Sequence, residues 1–223
     1  MSFYQTLLDA TQLEREQLLQ SPLIHDALKG KMSTEQYVSF LNQAYHHVKH
    51  TTPLLMAAGA RLPSSKESLR NALAEYIEEE LGHQEWVLND IKSCGYDAEK
   101  ARHSIPNRAT ELMVAYAYHI IDRVNPVGFF GMVLVLEGTS IKVADKAARC
   151  IAQSTGLPDT AFSYLRSHGA LDIEHVAFFE RLMNTIEDKD DQQLIIHCAK
   201  NFYHLYADVY HSVAPEQALP LAA

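Results

Sequence analysis

Apolar residues recur every three or four positions along most of this chain, and alternating β-branched runs bounded by turns are scarce. That spacing buries one face of an α-helix and fits no strand. Ser33 has the residue type of a helix N-cap, and Tyr37, Phe40, Leu41, Ala44 and Val48 follow it on one face. Leucines at 7, 8, 13, 18 and 19 mark a first helix over about 2–19, and a short helix ends near Gly30. A long helix is predicted over about 66–93, stopping at Cys94-Gly95, and Asn125-Pro126 divides two further helices. Pro53 lies within or next to the Ser33 helix and is expected to kink it. With two more helices before the tail, the pattern predicts one all-α bundle of about seven helices over 1–223, with 216–223 frayed.

Composition narrows the function. The 223 residues include 47% hydrophobic and 21% charged side chains, enough apolar material for a single large core. Acids outnumber bases 28 to 19, a net charge of −9 without a basic cluster, so nucleic acid is an unsuitable partner. No stretch approaches the roughly 20 apolar residues that span a bilayer, and the N-terminus lacks the pattern of a signal peptide. A cytoplasmic protein is expected. Cys94, Cys150 and Cys198 are scattered and odd in number, which suits a reducing compartment and excludes a thiolate zinc site of the CxxC kind.

Twelve histidines are more informative, because several stand at ligand spacings. In YIEEELGHQEW, Glu80 and His83 form an E-x-x-H pair, with Tyr76 and Val87 on the same side and Glu78 and Glu85 directed elsewhere. Carboxylate bundles use that pair to present an oxygen and a nitrogen to one metal. In GFFGMVLVLEGTSI, Glu137 ends an apolar run, where a buried carboxylate needs a cation or hydrogen-bond donors. Pairing with Lys142 or Arg123 would also satisfy it. In HGALDIEH, His168, Asp172 and His175 share one helical face. In QAYHHVKH, the apolar stripe puts His47 at the edge of the buried face and His46 almost opposite, while His50 is further from the stripe's centre. At least one of these three is expected to be merely exposed. Mixed nitrogen and oxygen donors without thiolate suit iron or manganese.

Glu80/His83, Glu137 and His168/Asp172/His175, in this order and with these surroundings, resemble the heme-oxygenase-like di-iron oxidases and oxygenases, often called iron-containing redox enzymes. Those proteins are relatives of the TenA/THI-4 proteins and of pyrroloquinoline-quinone synthase C. The resemblance covers roughly residues 35 to 210. It implies a heme-oxygenase-like bundle of about seven helices, two irons with one held loosely, O₂ as co-substrate, a small-molecule substrate and a homodimer. It also implies His83 and His168 with Glu80 and Glu137 around one iron, Asp172 and His175 with His47 around the other, and Tyr76 as a neighbouring hydrogen-bond donor or oxidisable group. The better-known members have a Glu where this chain offers histidines in the first ligand helix, which bears on the second metal.

Other readings of the same fold are a metal-free TenA-type hydrolase, a cofactorless oxidase, a heme protein with His25 or another histidine as axial ligand, and a non-catalytic binding protein. A hydrolase of that type needs an activated cysteine, and none of the three lies among the clustered acids and histidines. Phe129, Phe130, Val133, Tyr164 and Phe178 are candidates for an apolar substrate wall.

Overall fold

The computed structural model describes residues 1–213 and 219–222, without the side chains of 141–142 and 168–175. The described chain is predominantly helical: α1 Phe3–Ala10, α2 Gln12–Leu19, α3 Pro22–Leu28, α4 Thr34–Val48, α5 Thr51–Arg61, α6 Glu67–Glu80, α7 His83–Ser93, α8 Ala98–His103, α9 Arg108–His119, α10 Phe130–Thr155, α11 Ser163–Met183 and α12 Lys189–His211. These are twelve α-helices rather than about seven. The difference comes from breaks inside segments whose apolar period continues across them. The segment expected as one helix over 2–19 divides at Thr11, whose hydroxyl bonds back to the Leu7 carbonyl at 2.8 Å. Pro53 does not kink α4: that helix stops before Lys49, and Pro53 falls in the first turn of α5, where a missing N–H is harmless. The segment expected over 66–93 divides at Gly82, whose φ of +90° lies in the left-handed region that favours glycine.

Other boundaries follow their sequence signals. The Ser33 hydroxyl accepts the Gln36 N–H at 3.2 Å, the N-cap of α4. Between α9 and α10 the chain makes a π-turn over Ile120–Val124 and a 3-10 turn over Pro126–Phe129, with Asn125 accepting the Val127 N–H at 3.0 Å. The Asn125 amide also donates to Asp191 at 3.1 Å, and Lys66 pairs with the other oxygen of that buried carboxylate. This one acid ties the start of α6 and the turn before α10 to the first turn of α12.

Helix α4 is buried on nearly every side from Tyr37 to Val48. It contacts α7, α8 and α9, while α10 packs along α11 and α12. Tyr37 stacks on Phe162 at 5.2 Å and donates its hydroxyl to the Ala161 carbonyl at 2.8 Å, fixing the start of α11 against α4. Among the described residues no single helix is long and apolar enough to cross a membrane. The tail expected to fray returns to the fold at 220–222: Asp97 donates to the Pro220 carbonyl at 3.0 Å and Ala222 to the Gly95 carbonyl at 2.9 Å.

The N-terminus of α11 is capped from another helix. Asp90 of α7, fully buried, accepts the Ser163 N–H at 3.0 Å and the Tyr164 N–H at 2.8 Å, and also takes the Ser163 hydroxyl. Burial pushes its carboxyl above the ordinary value, while these three donors pull it back. Removing the carboxylate strands two buried amides at roughly 1–3 kcal/mol each. Asp90→Ala is therefore expected to lose about 3 kcal/mol in urea unfolding, and Asp90→Asn, which keeps an acceptor, about 1 kcal/mol. Equal small losses in both variants would show that the cap is not needed.

Candidate metal centre

Three helices bring candidate residues to one cavity of about 80 Å³: His47 from α4, Tyr76 and Glu80 from α6, and Glu137 from α10 all line it. Its other walls are largely apolar and include Leu54, Leu55, Phe129, Met132 and Val133. Glu80 Oε2 lies 3.0 Å from Nδ1 of His83, the first residue of α7. Thus the E-x-x-H pair meets across a helix break rather than along one continuous turn. The His83 ring stacks on Trp86 at 3.9 Å and is almost completely buried. Tyr76 and Val87 are buried beside it and Glu78 is exposed, while Glu85 points to Arg102 in a two-pronged contact at 2.9 Å.

Position separates His46 and His47 of α4 from each other and from His50, which lies at the start of α5. His47 reaches the cavity and meets the Tyr206 ring edge to face at 5.8 Å. His46 was expected opposite the buried face, yet it is 1% exposed, because α8 covers that side. Its Nε2 contacts the Ser104 hydroxyl at 2.8 Å and its Nδ1 lies 3.1 Å from Lys49 Nζ. Burial, reinforced by Lys49, pushes His46 down to about 4, so it is neutral at pH 7. His50 contacts the Tyr118 hydroxyl at 3.3 Å and is likewise lowered by burial. None of the three is simply exposed.

His168, Asp172 and His175 fall within α11, and their side chains lie outside the described residues. The helix that carries them packs on α10 and α7, the helices of Glu137 and His83. Among the described residues no three acid, histidine or cysteine side chains form a complete metal site. Two observations nevertheless fit a transition metal. Donors about 2.1 Å from a common ion and at right angles are about 3.0 Å apart, which matches the Glu80–His83 separation. Three glutamates, 78 to 80, also end α6 without a basic residue in its last turn, the end at which a helix favours positive charge.

Of the expected apolar wall, Phe129, Val133 and Tyr164 line the cavity. Phe130 is fully buried without lining it, and Phe178 lies behind Tyr76 with ring centroids 5.4 Å apart. Ser140 and Tyr206 escaped sequence reasoning, and both, like Tyr164, are shared with a second, almost wholly apolar cavity between α3, α10 and α12. Tyr206 had a signal, since Phe202, Tyr206 and Val209 repeat on one face of α12. His25, the candidate heme ligand, is exposed on α3 and lines none of these cavities. Burial pushes the Cys94 thiol up to about 12 and Cys198 up to about 11, so neither is a thiolate at neutral pH.

Residues 38–207 match the family model described as iron-containing redox enzyme. A domain of unknown function with a heme oxygenase-like fold from Shewanella denitrificans superposes with a TM-score of 0.86 at 24% identity, over 94% of this chain and 91% of that one. A TenA homologue from Pseudomonas syringae gives 0.79 at 11% identity, over 94% and 91% of the two chains. Heme oxygenase-1 of Synechocystis, solved in complex with heme, gives 0.75 at 11% identity, over 97% and 94%. No curated protein shows significant similarity to the chain. At these identities the likenesses establish a heme-oxygenase-like fold.

Proposed function

The chain belongs to the iron-containing redox enzymes, and on that footing we propose that it is an iron-dependent oxidase or oxygenase that uses O₂ to oxidise a small organic substrate. The observation that carries this reading is the convergence of His47, Glu80 and Glu137 on one largely apolar cavity, with His83 held against Glu80. Glu80, His83 and Glu137 with His168 would hold one iron, and His47 with Asp172 and His175 a second. Iron held there would supply electrons to O₂ one at a time, which lifts the spin restriction on the reaction of triplet O₂ with closed-shell organic molecules.

The chain's own residues perform the remaining tasks. Trp86 and Glu80 fix the plane and direction of the His83 ring, so that little reorganisation is needed on binding a cation. Leu54, Leu55, Phe129, Met132 and Val133 keep bulk water from the acids, which strengthens their hold on any cation. Tyr76 presents a hydroxyl at the cavity wall, where it can donate a hydrogen bond to a substrate or oxygen atom. Tyr206, pushed up to about 12 by burial, remains a neutral hydrogen-bonding group beside His47. The protonated state of Cys94 and Cys198 speaks against a cysteine hydrolase.

Protein expressed with added ferrous iron and purified without a chelating tag is expected to retain at least one iron per chain. It is also expected to consume O₂ in the presence of one or more compounds from a screen of amines, amino acids and carboxylic acids. Metal analysis and an oxygen electrode read both outcomes. Absence of iron from correctly folded protein under these conditions would sink the proposal.

A further inference from the structure

A third cavity, of about 200 Å³ and also lined by Glu137, lies between α1, α2, α10, α11 and α12. Arg15, Tyr4 and Tyr203 line it together with Glu137, and Leu134 and Phe179 supply apolar walls. Arg15 is the distinctive group. Arg61, Arg70, Arg102, Arg149 and Arg166 each meet a carboxylate within 3.3 Å. Arg108, Arg123 and Arg181 are exposed and need no partner. Arg15 is half-buried, and among the described residues it meets no carboxylate within ion-pair distance. Its partners are neutral: Nη1 donates to the Leu8 carbonyl at 3.3 Å, and the guanidinium lies by the Tyr203 hydroxyl, whose burial-raised pKa it lowers. A guanidinium has five N–H donors, so these contacts leave capacity on the cavity side.

We propose that this cavity is the anchoring subsite for a substrate monocarboxylate, held by the Arg15 guanidinium with Tyr4 and Tyr203, so that the rest of the molecule lies against Glu137. The inference rests on the reading of Glu137 as a wall of the metal centre. The planar fork of Arg15 matches the two oxygens of a carboxylate. Glu137, which also lines the cavity, disfavours a dianion such as phosphate. The apolar walls accept a hydrocarbon body. Arg15 is thus a positioning residue, which sets which part of the substrate faces the acids.

The test uses iron-loaded full-length protein and four probes, butanoate, benzoate, their uncharged amides and inorganic phosphate, with binding measured by calorimetry and iron content on the same samples. The carboxylates are expected to bind about tenfold or more tighter than their amides, a difference of the size of one charge-assisted hydrogen bond. Arg15→Gln should bring acid and amide to within about threefold while iron content stays unchanged, and Arg15→Lys should keep part of the preference. Tyr203→Phe, which keeps the ring, should weaken the carboxylates alone and serves if Arg15→Gln does not fold. A carboxylate preference that survives in Arg15→Gln means ligation to the metal and overturns the proposal, as does equal binding of acid and amide, or of phosphate, to the native protein. Iron-free protein with an intact, Arg15-dependent carboxylate preference would instead refute the metal centre and leave this subsite standing.

Discussion

Glu80→Ala protein, prepared with added ferrous iron, is expected to carry less than about a tenth of the iron of the native chain. His83→Ala should lose as much. Outer partners of metal ligands already cost about 10–100-fold in affinity when removed, and a direct donor costs more. Each substitution takes away one member of a pair that stands 3.0 Å apart. The fold should survive, because Glu80 is the last residue of α6 and far-UV circular dichroism reads mainly the helices on either side. Glu78→Ala is the control: it belongs to the same acidic run but is exposed, so its iron content should equal that of the native protein. If the three variants retain equal iron, Glu80 and His83 are an ordinary ion pair and the metal lies elsewhere.

Gly131→Ala is expected to be the most damaging small substitution for stability. A Cβ at this position of α10 would sit 2.6 Å from the Ala199 nitrogen and 3.0 Å from the Cys198 carbonyl carbon, both backbone atoms of α12. Side chains can rotate away from a clash, but a neighbouring helix backbone has to translate as a whole. Overpacking of this kind costs about 1–3 kcal/mol and more where nothing can yield, so a loss of at least about 3 kcal/mol in urea unfolding is predicted for Gly131→Ala. A loss below about 1 kcal/mol would mean that α10 and α12 are free to separate. The displaced helices carry Glu137 and Tyr206, so even folded Gly131→Ala protein should bind iron less well.

Much of the fold was readable because its signals are local. The Ser33 cap, the Cys94-Gly95 stop and the Asn125-Pro126 division each depend on a few adjacent residues, and each appears where expected. The number of helices was not readable. A single glycine within a helical pattern costs only about 1 kcal/mol, so Gly82 alone does not tell an interrupted helix from a continuous one. The site shows the same division. Position on the α4 stripe favoured His47, and His47 lines the cavity. The stripe failed for His46, because the partner on that side is α8, about fifty-five residues away in sequence, and no periodicity within α4 records it. Arg15, Tyr4, Leu134 and Tyr203 come from four helices and share no motif, so only their packing reveals the cavity they enclose.

The left-handed residue between Glu80 and His83 gives their partnership a property that an unbroken helix cannot have. In a regular helix, the bite of an i, i+3 pair is locked by the pitch. Here two rigid rods meet at an articulated joint, so the span between oxygen and nitrogen depends on how α6 and α7 are angled by everything packed against them. On the proposed assignment of Glu80 and His83 as donors, selection for a cation of a particular radius can therefore act on residues remote from both, by adjusting the angle of that joint while the pair itself stays unchanged.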